Sequence, residues 1–288
     1  MVGYVDDGAY SYANTDPNVL SEVLSRKYNL IEDWIHGNKL VINPDKTHLL
    51  VMGLKKHARK RETVSISAGQ YTVTPSVSGK LLGCHLHQSL KWNEHIMDNK
   101  NSIIKQLSSR INGLKKICYN SSFKTRLMVA NGVFMSKLVY LIVVWGGAQK
   151  YLLNSLQVQQ LAAARLVCGF HSKWWSKYRL LKKVGWLSVN QLVFYNTVLQ
   201  AHKTITTGKP ECINDLIRTE HPYSTRSATA NQIRFGESFR HGSNIASSSF
   251  KQRAVKSYNS VPLSIRSGSL VTVKRKLRKW VWQNVPIC

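Results

Sequence analysis

The sequence predicts an α+β protein in which short strands occupy the first third and helices fill the remainder. Up to about residue 91, short runs rich in Val, Thr and Ser alternate with turn residues, a pattern typical of strands. From residue 92 onward, apolar residues recur at helical spacing. Hydrophobic residues make up 43% of the 288 positions and include eight Trp. This composition can build a core and excludes a disordered basic tail.

The strand-rich part is predicted to open with a hairpin. Residues 4–10 predict two short strands around an Asp-Gly turn, with Asp6 and Asp7 at its tip. A helix is predicted to begin with Asp16 as N-cap and Pro17 at its first position, and to end at Gly37-Asn38. The pattern then predicts strands over 40–43 and 48–52, a basic loop over 55–61, and strands over 64–77 and 81–86.

The helical part is predicted from four apolar stripes. They cover residues 96–114, 122–144, 153–166 and 188–204, with Gly169 ending the third helix and Ser188 capping the fourth. Residues 208–248 lack periodicity and predict a loose connection, and short helices are predicted over 250–258 and 271–282. The predicted domains are therefore 1–91, 92–170 and 171–288.

Charge is distributed unevenly along the chain. The net charge is +27, but residues 1–100 carry 12 basic and 10 acidic side chains, whereas residues 101–288 carry 29 and 4. Residues 99–210 contain 17 basic side chains and no acidic one. Such a bias indicates a polyanion partner, and nucleic acid is the expected one. Trp174 and Trp175 lie among these charges and predict either stacking on unpaired bases or packing in a core.

Two other classes of protein are disfavoured. The five cysteines form no CxxC pair, so neither a disulfide framework nor a zinc module is predicted, and an intracellular location is expected. The longest apolar run, residues 138–148, is too short to span a bilayer, and no secretory signal pattern follows Met1. No membrane association is expected.

Several motifs resemble one family. Tyr4-Val5-Asp6-Asp7 resembles the YxDD motif of reverse transcriptases. Further blocks follow with the order and spacing found in non-LTR (LINE-type) retrotransposon enzymes: Trp34, Asn38-Lys39-Leu40 and Asn43-Pro44-Asp45-Lys46-Thr47; Leu82-Gly83 with Leu90, Trp92 and His95-Ile96; Gln157, Gln160, Arg165 and Gly169; and a final block from Tyr258 to Lys274. In the final block Tyr258 replaces the usual Trp, and Val273 the usual Phe.

The resemblance implies a truncated polymerase palm followed by an all-α thumb and a basic helical C-terminal region. Asp6 and Asp7 would be catalytic, metal-binding carboxylates for Mg²⁺, and Lys46 would act on the nucleotide phosphates. RNA template and DNA primer would be the partners. The expected nucleic-acid-binding residues are Tyr4, Leu82, Gly83, Lys115, Lys116, Lys182, Lys183, Lys274, Arg275 and Lys276.

Three functions remain open from the sequence. The chain is expected to be a C-terminal fragment of such an enzyme, because only three residues precede YxDD and the family places another catalytic Asp before it. On this expectation it binds Mg²⁺ weakly, does not polymerise alone, and could associate with the preceding part of the polymerase. A non-catalytic nucleic-acid-binding protein derived from a retroelement is the alternative, and a membrane-surface protein is the third. Residues 274–279 predict a nuclear-localisation patch or a phosphate contact.

Overall fold

The computed structural model describes residues 2–4, 7–43, 46–53, 57–68, 71–118, 120–169, 172–215, 217–218, 232–235 and 248–287. The chain divides into two compact units, Met1–Glu94 and His95–Cys288. Helices dominate, and the strands described form small two-stranded antiparallel sheets. This architecture confirms the α+β class. The three predicted domains and the palm and thumb assignments remain predictions.

The described residues of the first unit form three antiparallel strand pairs, one long helix and one short helix. Its elements are β1 (Val2–Tyr4) paired with β2 (Asp7–Ala9), α1 (Pro17–Gly37), α2 (Ala58–Glu62), β3 (Ile66–Ala68) paired with β4 (Tyr71–Val73), and β5 (Ser78–Leu81) paired with β6 (Cys84–His87).

Helix α1 covers the small core of this unit. Its predicted start is confirmed, because the Asp16 carboxylate accepts a hydrogen bond from the Asn18 backbone N–H at 2.9 Å. Leu20, Leu24 and Tyr28 pack against a core cluster of Leu49, Val64 and Ile66. The hydroxyls of Ser21 and Ser25 accept hydrogen bonds from the Ser65 and Ser67 N–H groups at 3.2 and 2.9 Å. The helix therefore binds the β3 segment through both apolar and backbone contacts.

The segment between α1 and β3 differs from the prediction. The predicted strands over 40–43 and 48–52 are wrong, since that stretch contains a single β-bridge, between Leu49 and Pro75. Val41 is 86% exposed, so its β-branched side chain does not pack on a sheet. The predicted basic loop over 55–61 is wrong in part, because α2 occupies residues 58–62. Arg61 anchors that helix by donating to the Gly53 and Gln88 carbonyls at 2.8 and 3.1 Å.

The second unit is built from helices around a central pair. After a π-helical segment (Glu94–Asp98) come α3 (Ile103–Cys118), α4 (Phe123–Ala130), a π-helical turn (Asn131–Met135), α5 (Ser136–Val139), α6 (Ile142–Trp145), α7 (Lys150–Cys168), α8 (Lys177–Val184), α9 (Val189–Thr207), α10 (Glu211–Asn214), β7 (Ile217–Arg218) paired with β8 (Arg234–Phe235), α11 (Phe250–Ser260), α12 (Leu263–Arg266) and α13 (Leu270–Asn284).

Helices α7 and α9 form the centre of this unit. They contact each other, and α3, α4 and α8 pack on α7 while α6, α11 and α13 pack on α9. The predicted start of α9 is confirmed, because Ser188 and Gln191 form a reciprocal capping box. The predicted end of α7 at Gly169 is also confirmed. Most of the predicted loose segment 208–248 lies outside the described residues, and its described parts contain α10, β7 and β8.

The predicted continuous helix over 122–144 is broken. Tyr140 has an extended ψ of 125° and Leu141 a left-handed φ of 55°, so the helix stops and restarts at α6. The Trp145 indole N–H donates to the Tyr140 carbonyl at 2.9 Å, which satisfies a group freed by the break. Helix α8 was not predicted, although Ser176 caps it and Gly185 ends it.

A buried histidine links α9 to α11 and to the turn before α13. His202 is 2% exposed. Its Nε2–H donates to the Gly268 carbonyl at 3.1 Å, so in the neutral ring Nδ1 accepts from the Tyr258 hydroxyl at 3.3 Å. Tyr258 occupies the position at which non-LTR retrotransposon enzymes usually have Trp. Its hydroxyl makes the hydrogen bond to His202. Burial lowers the pKa of His202, and the hydrogen bond to Gly268 partly opposes this shift.

We expect the stability of the second unit to fall on acidification through His202. The pKa of His202 in the folded protein lies below its unfolded value of about 6.5. The stabilisation that the neutral ring provides is therefore complete above that pH, and it is lost as the pH falls through the folded pKa. The melting temperatures of the unaltered chain and of His202→Gln should differ at pH 7 and converge towards pH 5. Parallel pH profiles would contradict this account.

Candidate nucleic-acid interface

The predicted catalytic residues belong to the first unit, and Asp7 lies in its strand β2. The pairing of Tyr4 with Asp7 and of Gly3 with Gly8 places Asp7 and Gly8 inside β2. The predicted Asp-Gly turn is therefore wrong, because these two residues belong to the paired strand. Asp6 lies outside the described residues. Among the residues that are described, no group of three or more His, Cys, Asp or Glu side chains could hold a metal ion. Mg²⁺ binding by Asp6 and Asp7 stays a prediction.

The residues Pro44-Asp45-Lys46 predict a turn, and the first two of them lie outside the described residues. The Lys46 backbone N–H donates to the Asn43 carbonyl at 3.2 Å. The Thr47 hydroxyl donates to the same carbonyl at 3.1 Å. One acceptor thus fixes both residues, and the hydroxyl gives the Thr position of the block a structural reason. The Lys46 side chain is exposed and available to a phosphate.

Leu82 and Gly83 form the two-residue turn between β5 and β6. Leu81 pairs with Cys84, and Leu82 and Gly83 have φ values of 46° and 79°. Positive φ at both positions is the backbone conformation that a two-residue turn between right-twisted strands requires, and glycine adopts it without strain. Leucine does so at a cost of about 1–2 kcal/mol. Leu82 is nevertheless 40% exposed, so its side chain is presented at the hairpin tip.

Replacing Leu82 with asparagine should therefore raise stability by about 1 kcal/mol, because asparagine tolerates positive φ. The measurement is the melting temperature of the full chain. The same substitution at Leu81, which lies in β5, is the control and should not stabilise. A lower melting temperature for Leu82→Asn would show that the leucine side chain packs rather than projects.

The remaining predicted nucleic-acid contacts lie on three helices of the second unit. Lys115 and Lys116 are in the last turn of α3, Lys182 and Lys183 in the last turn of α8, and Lys274, Arg275 and Lys276 on α13. All seven side chains are exposed. The Lys276 ammonium also donates to the Ser264 carbonyl at 3.3 Å. Basic residues in a last turn also stabilise the helix dipole, which gives the α3 and α8 pairs a second, structural role.

Helix α8 has one buried and one exposed face. Leu180, Leu181 and Val184 are buried, and the helix packs on α7. The exposed side borders an open groove of about 610 Å³ lined by Trp175, Tyr178, Arg179, Lys182 and Lys183. The groove combines aromatic rings with positive charge and contains no carboxylate.

Cations lie over the aromatic rings around this groove. The Arg179 guanidinium is 4.3 Å from the centre of the Trp175 ring, and the Lys182 ammonium is 5.5 Å from that of Tyr178. The Lys183 ammonium is 5.3 Å from the centre of the Phe123 ring at the start of α4. These distances allow cation–π attraction. The aromatic rings thus restrict the conformations of the long Arg and Lys side chains around the groove.

Helix α13 joins this surface through two contacts. The rings of Trp282 and Tyr178 are perpendicular to each other, with a centroid distance of 6.0 Å. The Arg278 guanidinium donates to the Gly185 carbonyl at the end of α8. Helix α8, with Lys182 and Lys183, thus lies directly against the helix that carries the basic patch 274–276. Tyr178 lies in the run of aromatic and basic residues that the sequence already indicated for stacking, and Arg278 lies in the predicted basic segment 274–279. Trp282 was not predicted as a member of this surface. Helix α8 itself was also missed, although Ser176, the apolar spacing of 180, 181 and 184, and Gly185 marked it.

Comparisons with known proteins add no assignment. No family model, curated protein or solved structure matches this chain. Within the part of the chain that the structure describes, no helix is both long and apolar enough to cross a bilayer.

Proposed function

We propose that the chain is part of a reverse transcriptase of the non-LTR retrotransposon type, in which the helical second unit holds the RNA template and DNA primer. The motif order from Tyr4 to Lys274 supports the family. The function itself is supported best by one observation, the acid-free stretch of residues 99–210, which supplies the three cations that line the aromatic groove on α8.

The charge of this stretch suits a phosphate backbone. The surfaces of soluble proteins ordinarily carry positive and negative charges side by side. Here 112 consecutive residues contain 17 basic side chains and no acidic one. Binding a polyanion releases its counterions, which gives affinity without sequence specificity. A polymerase must hold template and primer of any sequence, so contacts of this kind fit the proposed role.

In the intact enzyme the first unit would contribute part of the chemistry, together with the catalytic Asp that the family places before YxDD. Asp6 and Asp7 are adjacent oxygen donors of the kind that Mg²⁺ prefers. Bound there, Mg²⁺ would neutralise charge on the reacting phosphates. Lys46, held in its turn by Asn43, would contact the phosphates of the incoming nucleotide. The basic segment 274–279 would in addition serve nuclear import.

Binding of the full chain to two surfaces tests the proposal. A fluorescent RNA–DNA primer–template and vesicles of anionic phospholipid are titrated at the same ionic strength. Tight binding to the primer–template with little binding to vesicles is expected. Equal affinity for both, or binding to vesicles alone, would favour a membrane-surface protein and contradict the proposal.

A further inference from the structure

The segment around the start of α8 exposes aromatic surface to solvent. Trp174 is 87% exposed and Tyr178 is 52% exposed. Neither exposed face belongs to the core, whose α8 members are Leu180, Leu181 and Val184. Core packing was one of the two roles predicted for Trp174 and Trp175. It does not account for Trp174, because nearly all of that side chain lies outside the core.

Each exposed ring in this segment has a cation beside it. The Lys173 ammonium lies 5.2 Å from the centre of the Trp174 ring, and Lys182 and Arg179 accompany Tyr178 and Trp175 in the same way. A ring and an adjacent cation match the two parts of a nucleotide, since the base stacks on a flat surface and the phosphate pairs with the charge. The Arg179 guanidinium is itself a flat stacking surface.

The helix fixes these groups in rows. Tyr178 and Lys182 are four residues apart, as are Arg179 and Lys183, so each pair lies on one side of α8. The helix is capped at both ends and packed on α7, and Tyr178 is braced by Trp282. A preorganised platform of this kind loses little entropy when a ligand binds.

We propose that this groove, together with the exposed ring of Trp174 that precedes its lining residue Trp175 in the chain, binds unpaired nucleotides of a single-stranded nucleic acid. Trp174, Tyr178 and Arg179 would offer stacking surfaces, and Lys182 and Lys183 would contact phosphates. The assignment rests on the proposed function and makes it more specific. Stacking needs the face of a base, which a duplex hides between neighbouring base pairs. An acidic peptide would satisfy the cations but would leave the exposed rings unused.

The test compares Trp174→Ala with the unaltered full chain. A 5′-labelled oligothymidylate and a duplex of equal length are titrated at one salt concentration. Removing one stacking surface should weaken binding of the single strand by at least about 5-fold and change binding of the duplex by less than 2-fold. Trp174→Phe, which keeps a ring, should restore most of the affinity. Tyr151→Ala is the matched control, because Tyr151 is 48% exposed on α7 of the same unit.

The outcomes separate this inference from the function on which it depends. If the unaltered chain binds neither ligand, the proposed function is wrong. If it binds both but Trp174→Ala affects neither, or weakens both equally, only the groove assignment is wrong. The same holds if Tyr151→Ala produces as large a loss as Trp174→Ala. Because Trp174 is almost fully exposed, unfolding of the variant is not expected, and its circular dichroism melt provides the check.

Discussion

Replacing Gln160 with alanine should lower the free energy of unfolding of the second unit by about 2–4 kcal/mol. Gln160 is fully buried on α7. Its side-chain oxygen accepts from the Gln157 amide at 2.9 Å, and its own amide donates to the Leu187 carbonyl at 2.8 Å. Alanine would leave both partners buried without this hydrogen bond and would open a cavity between α7 and the start of α9.

The effect should extend through the neighbouring glutamines. The Gln157 side-chain oxygen accepts from the Val189 N–H at 2.8 Å, which ties α7 to the first turn of α9. These two positions belong to a block through which the chain resembles non-LTR retrotransposon enzymes, so that part of the resemblance has a structural basis. Denaturant unfolding followed by tryptophan fluorescence measures the loss. Asn154→Ala, an exposed change on the same helix, should alter stability by less than about 0.5 kcal/mol. A similar loss for both variants would contradict the proposed importance of the glutamine pair.

Neutralising the α8 groove should have the largest effect on binding. In the triple variant Arg179→Gln, Lys182→Gln and Lys183→Gln, three cations that line the groove are removed. If each contacts a phosphate, the slope of log affinity against log salt should decrease in magnitude by about 2–3. Affinity for the primer–template near 0.1 M salt should fall by about 10- to 1,000-fold. The measurement is a fluorescence anisotropy titration at several salt concentrations.

A second triple variant provides the control. Lys150, Lys203 and Lys256 are exposed on α7, α9 and α11, so their replacement by glutamine removes the same charge from other helices of this unit. We expect its affinity to fall much less than that of the groove variant. If both variants lose affinity equally, net charge rather than the groove governs binding.

Local signals predicted the helices well where a cap and an apolar stripe agreed. Asp16 with Pro17 marks the start of α1, and Ser188 marks the start of α9, because both effects act within one helical turn. The break at Leu141 could not be predicted. Residues 138–148 are uniformly apolar, so their pattern continues through a left-handed residue that tertiary packing alone imposes. The strands predicted near residues 40 and 50 failed because a strand also requires a partner, which composition does not supply.

The candidate site was predictable in its charge and not in its geometry. The acid-free stretch and the basic pairs at 115, 182 and 274 are visible in the sequence. The contact between Tyr178 and Trp282 joins residues more than 100 positions apart, so no local pattern indicates it. Lys183 likewise meets Phe123 across 60 positions. These long-range contacts turn a charge bias into a defined groove.

The central claim is that the second unit holds nucleic acid through its phosphates, and the salt dependence of binding tests it most directly. The full chain is titrated with the RNA–DNA primer–template between 50 and 200 mM monovalent salt. With six or more phosphate contacts, affinity should fall by about 10³-fold or more over this range. A fall of less than about 10-fold would contradict the claim, because the basic surface would then contribute little to binding.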